Sequence, residues 1–109
     1  MTPLESRTLS IDLDQTLCRG DVSDYASATP EPGAAEALRH LRGQGWVVVI
    51  YTARHFNHWK TTVEWLAHHG FSYDQIVFGK PPARYYIDDR AVSYRGNWRE
   101  LCDELGSPR

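Results

Sequence analysis

The stretch "LSIDLDQTLC" (residues 9–18) places Asp12 and Asp14 two apart, at the end of a run that otherwise reads as a buried strand. Residues two apart in an extended chain point to the same side. Like charges held that close are costly unless something compensates them. Upstream, "RTLSIDL" (7–13) alternates and then turns apolar, the pattern of a strand entering a core. The two carboxylates therefore stand at a strand's carboxyl end.

Working outward, "WVVVIYT" (46–52) is a continuous β-branched run of the kind expected to be buried on both faces. Between the two strands, "TPEPGAAEALRHLRGQG" (29–45) predicts a helix. Pro32 suits its first turn, Ala34, Ala37, Leu38 and Leu41 share a face, and Gly43 or Gly45 ends it. A second helix is expected from a cap at Asn57 through "HWKTTVEWLAHH", with Trp59, Val63 and Leu66 on one face and Gly70 as its stop. A short strand "QIVFG" (75–79), a fourth strand "RYYID" (84–88) after "KPPA", and a closing helix "NWRELCDEL" (97–105) complete the pattern. Strands alternating with helices predict one α/β domain over residues 1–109, a three-layer Rossmann-like fold with a central parallel sheet. Ligands bind such sheets at the carboxyl ends of the strands.

Those ends carry Asp12 and Asp14, then Thr52, then Lys80 in the following loop, then Asp88 and Asp89. A divalent cation is the natural compensation for the paired charges. Hard oxygen ligands from Asp12 and from Asp88 or Asp89 suit Mg²⁺, which takes few carboxylates together with waters and a substrate phosphate.

Composition narrows the classes. The chain has 109 residues, 41% hydrophobic and 24% charged, which is ordinary for a soluble domain, and no window is apolar enough to cross a bilayer. The N-terminus lacks the basic start and apolar core of a signal peptide, so a cytoplasmic protein without membrane partners is expected. Cys18 and Cys102 are far apart and have no metal-type spacing. A formal net charge of −2 supplies no basic field, which argues against nucleic acid as a partner.

With these residues in place, "DLDQT" (12–16), "YTAR" (51–54), Lys80 in "FGKP" and "IDD" (87–89) resemble the four motifs of the haloacid dehalogenase (HAD) superfamily of phosphatases. The match runs over nearly the whole chain. The arrangement from "YTAR" to "YYIDDRA" is also similar to small HAD-type proteins of capsule and surface-sugar biosynthesis. The segments after the first and second motifs are too short for a mobile cap domain, so the resemblance is to the capless branch. One departure stands out: Gln15 replaces the glycine usual between the second aspartate and the threonine.

The resemblance implies a Mg²⁺-dependent phosphomonoesterase acting on a small phosphorylated metabolite such as a sugar phosphate. Asp12 would be the nucleophile that becomes an aspartyl phosphate, and Asp14 the acid and base. Thr52 and Lys80 would bind the phosphoryl oxygens, with Arg54 a further substrate contact. The metal would rest on Asp12, the Asp14 carbonyl, Asp88 and the nearby Asp89. His55 and His58 are candidates for the substrate mouth, whereas His68 and His69 suit a helix end. Arg19, Tyr25, Tyr94 and Arg95 are left undecided. The four tryptophans are expected in the core, unless one covers a homo-oligomer face that roofs the open site. A catalytically weak phosphate-binding module, a phosphatase of protein or nucleic-acid ends, and phosphoryl transfer to an acceptor other than water stay open as alternatives.

Overall fold

In the computed structural model, which describes residues 1–21 and 23–109, the apolar runs become a parallel sheet. β1 (Thr8–Ile11), β4 (Val47–Thr52) and β5 (Gln75–Phe78) lie in the order β1-β4-β5, with Ile11 opposite Ile50 and Thr52 opposite Phe78. This register brings the three carboxyl ends to one edge. A two-residue antiparallel ladder, β2 (Cys18–Arg19) with β3 (Thr29–Pro30), closes the loop between them. The α/β architecture expected from the pattern is the one observed.

The β4 run alternates instead of being buried throughout. Val48, Ile50 and Thr52 are fully buried, while Val47, Val49 and Tyr51 are half-buried, so one face of the sheet carries the core. α1 (Ala34–Gly43) presents Ala34, Ala37, Leu38 and Leu41 to that core, the i, i+3, i+4, i+7 stripe of an amphipathic helix. Its entry is set by Gly33 at φ 79°, one residue after Pro32.

α2 (Trp59–His68) begins later than expected and turns a different face inward. A 3-10 turn, Phe56–His58, precedes it, and the His55 imidazole, not Asn57, accepts the first free amide, Asn57 N–H at 3.1 Å. Thr62, Trp65 and Leu66 are buried, whereas Trp59 is 48% exposed and Val63 half-buried. Trp65 sets this rotation: its indole N–H donates to the Ala28 carbonyl at 2.8 Å and its ring stacks on Phe71. α3 (Trp98–Leu105) is capped by Asn97, whose side chain accepts from Glu100 N–H at 3.0 Å. Trp98 and Cys102 face inward, and the Trp98 indole N–H donates to the Thr16 carbonyl at 2.8 Å.

The fourth strand is absent: residues 84–88 pair with nothing, and the whole stretch 81–93 is exposed. Ile87 is 99% and Tyr85 70% exposed. β-prone residues make a strand only when they bury a face, and these bury none. β1 consequently forms one edge of the sheet. Among the described residues no helix is long and apolar enough to cross a membrane.

Candidate active site

The edge where the strands end gathers Asp12, Asp14, Thr52 and Lys80. Gly79 N–H and Lys80 N–H both donate to the Thr52 carbonyl at 3.1 Å, which folds the chain after β5 back over the end of β4. That fold brings the Lys80 ammonium to 3.3 Å from Asp12 Oδ1 and 4.0 Å from the centre of the Tyr86 ring. Asp12 and Lys80 are both partly open, the first more so. Thr52 is fully buried, and its hydroxyl accepts from Arg54 N–H at 3.1 Å.

Asp14 has a different partner. Arg54 grips it two-handed, Nε to Oδ2 at 2.9 Å and Nη2 to Oδ1 at 2.7 Å. The guanidinium is buried, and its Nη1 donates to the Thr62 hydroxyl of α2 at 3.0 Å. The Tyr25 ring lies 3.8 Å over its Cζ, and His58 meets Tyr25 edge to face. A hollow of about 420 Å³ lies against this cover, lined by Ser23, Asp24, Tyr25, Ala26, His58 and Thr61. All three of the Arg54 guanidinium nitrogens are engaged internally. Cys18, beside the pair, is pushed up to about 11 by burial and then by the Asp14 charge, which keeps it a thiol at neutral pH.

The turn after Asp14 shows what the missing glycine does. Gln15 has φ 65°, the one non-glycine residue with positive φ among those described. Its amide donates to the Cys18 carbonyl at 2.8 Å and its side chain to the Gly20 carbonyl at 3.1 Å, so the glycine geometry is kept with a strained residue. A second layer, not foreseen from the sequence, backs this turn. Glu31 is buried and accepts both Arg19 nitrogens at 2.7 and 2.8 Å, and these hydrogen bonds hold its carboxyl below its ordinary value. The buried Tyr94 hydroxyl is pushed up to about 12, first by desolvation and then by Glu31. The signal for this layer was a lone acid between two prolines, which no local pattern distinguishes from a loop residue.

Asp88 and Asp89 lie on the exposed segment that follows Lys80. Asp88 Oδ1 accepts from Arg90 N–H at 2.9 Å, and Arg90 Nη1 reaches to 4.0 Å from Glu5 Oε2. Glu5 precedes the amino end of β1, whereas Asp12 follows its carboxyl end. Among the described residues no three His, Cys, Asp or Glu side chains converge on a point where a metal ion would sit. Asp12 faces the Lys80 ammonium and Asp14 the Arg54 guanidinium. His55 serves as a helix cap and His58 as part of the cover on Tyr25.

Three solved structures resemble this fold. A structural-genomics target from Vibrio cholerae is 30% identical, with 91% of this chain and 98% of that one covered and a TM-score of 0.69. A chain of the Pnkp1/Rnl/Hen1 complex, an RNA repair complex, is 23% identical at TM-score 0.59, covering 90% of this chain and 34% of that one. D,D-heptose 1,7-bisphosphate phosphatase from B. bronchiseptica, complexed with magnesium and phosphate, is 17% identical at TM-score 0.54, covering 91% and 63%. No family model and no curated protein matches the chain. The chain belongs to one family with the Vibrio cholerae protein. Its likeness to the other two is one of fold.

Proposed function

We propose that this chain, which shares its family with the Vibrio cholerae protein and its fold with a heptose bisphosphate phosphatase, hydrolyses phosphomonoesters of small metabolites such as sugar phosphates. The observation that carries the reading is the Lys80–Asp12 pair at 3.3 Å beside Thr52, where the parallel strands end. A carboxylate that must meet a phosphate dianion needs a cation at hand, and a buried threonine with an oriented hydroxyl adds a polar contact.

In this reading an Asp12 oxygen attacks phosphorus as the bond to the leaving oxygen breaks, and Asp14 supplies the proton that the alkoxide takes up. Water then attacks the aspartyl phosphate, gives its proton to Asp14, and frees Asp12 and inorganic phosphate. Lys80 stays on the phosphoryl oxygens through both displacements. The complex of the B. bronchiseptica enzyme with magnesium and phosphate supports Mg²⁺ as the cofactor. Asp12 and the Asp14 carbonyl would hold the cation, which would add positive charge beside the phosphoryl oxygens. The RNA repair complex supports a second reading, in which the phosphate sits on a nucleic-acid end; the net charge of −2 weighs against it.

The test is phosphate release from a panel of sugar phosphates, nucleotides and 3′- and 5′-phosphorylated oligonucleotides, with Mg²⁺ and with chelator. Release that depends on Asp12 and Lys80 supports the reading, and the preferred substrate separates metabolite from nucleic-acid end. Lys80→Ala is expected to lower kcat/KM by at least about 100-fold, and to weaken inhibition by phosphate. A folded protein that binds phosphate and releases none from any substrate would instead be a binding module.

A further inference from the structure

We infer that Arg54 is a positioning residue, which holds the Asp14 carboxylate in one orientation with Oδ2 the less engaged of its two oxygens. The role assigned to Asp14 rests on the phosphatase reading above. The orientation itself rests on geometry alone. Oδ1 accepts from Arg54 Nη2 at 2.7 Å and faces the Cys18 thiol at 3.5 Å, whereas Oδ2 accepts only from Arg54 Nε at 2.9 Å among the described contacts. A carboxylate oxygen has two acceptor positions, and Oδ2 keeps one free, whereas the Cys18 thiol divides its single proton between Oδ1 and the Leu13 carbonyl. The Asp14 side chain remains 26% exposed, which gives that position access to solvent or substrate.

Arg54 is itself immobilised from every side. Its backbone is tied to the Thr52 hydroxyl, Nη1 to Thr62 of α2, and the flat of the guanidinium to Tyr25 at 3.8 Å. With the side chain 1% exposed, a fork fixed at this many points turns Asp14 into a rigid group instead of a rotating one. Lysine has one charged nitrogen and no fork, so it keeps the charge but not the two-point grip. A carboxylate that must donate and then recover a proton gains from a fixed position more than from a fixed charge.

Two measurements on the full chain decide this. The first is the Arg54 Nε–H resonance in a proton–nitrogen NMR spectrum, which reads the grip without any turnover. It should be sharp and slow to exchange, move strongly in Asp14→Asn, and stay in place in Asp12→Asn. A resonance indifferent to Asp14 overturns the proposal whether or not the chain is a phosphatase. The second is kinetic: Arg54→Lys should lower kcat by about 10- to 100-fold with KM changed less than about threefold. In an Asp14→Asn background the same substitution should lower kcat less than about twofold, since the two residues act as one unit. Equal losses in both backgrounds would assign Arg54 a purely structural role. Tyr25→Leu, which removes only the cover, should give a smaller kcat loss in the same direction. A wild-type chain that releases no phosphate while its Arg54 resonance follows Asp14 would sink the phosphatase reading and leave the grip standing.

Discussion

The carboxyl end of the sheet and the segment 81–93 are made from the same kinds of residue, carboxylates, arginines and tyrosines, yet one is built and the other is bare. At the sheet end Asp14 is gripped by a buried arginine and Asp12 faces Lys80. On the segment, Asp88 does no more than cap its own turn, and Tyr85, Ile87 and Val92 all face solvent. The difference is anchorage: Leu13 and Leu17, fully buried, flank the sheet-end carboxylates, and the segment has no buried residue at all. Polar geometry is fixed where apolar neighbours fix the backbone first.

The comparison breaks most sharply at the paired acids. Asp12→Asn should lower phosphate release by at least about 10³-fold with the melting temperature nearly unchanged, because in the proposed reading it removes the nucleophile from an intact scaffold. Asp88→Asn should leave the melting temperature unchanged as well. A turnover loss equal to that of Asp12→Asn would mean that the two regions meet during the reaction. Stability separates them next. Leu38→Ala, at a fully buried position of α1, should cost about 3 kcal/mol in urea unfolding, whereas Ile87→Ser should stay within about 0.5 kcal/mol.

Acid unfolding sharpens the contrast further. Glu31 is held low by its hydrogen bonds from Arg19, and Asp74 by Val48 N–H and then by Arg42. A carboxyl lower in the folded than in the unfolded chain contributes stability above its ordinary value, which is lost as the pH falls through its folded value. Urea midpoints should therefore drop as the pH falls below the ordinary carboxylate range, and Glu31→Gln should flatten that limb. The smallest effect belongs to Gln15. Gln15→Gly removes the left-handed strain and the bond to Gly20, and should stabilise the chain by no more than about 1 kcal/mol.

These contrasts mark what could be read in advance. The strands 8–11 and 47–52 and the stripe of α1 were legible because period and burial agree there. The rotation of α2 was not, because it depends on Trp65 finding the Ala28 carbonyl across the loop, a contact 37 residues away. "RYYID" looked like a strand because tyrosine and isoleucine favour one, but propensity is overruled where nothing covers the side chains. In the site, the nearness of Asp12, Thr52 and Lys80 followed from strand order. The Asp14–Arg54 grip did not, since "YTAR" says only that an arginine follows the strand, not whether it turns inward. Glu31 and Tyr94 were hidden for the same reason.

The hydrogen bond from Trp98 to the Thr16 carbonyl joins positions 82 apart in the chain. During synthesis, the turn that carries Asp12 and Asp14 stays unfinished until Trp98 has left the ribosome. This corner of the molecule is therefore completed only after the 82-residue span between the two positions has been made.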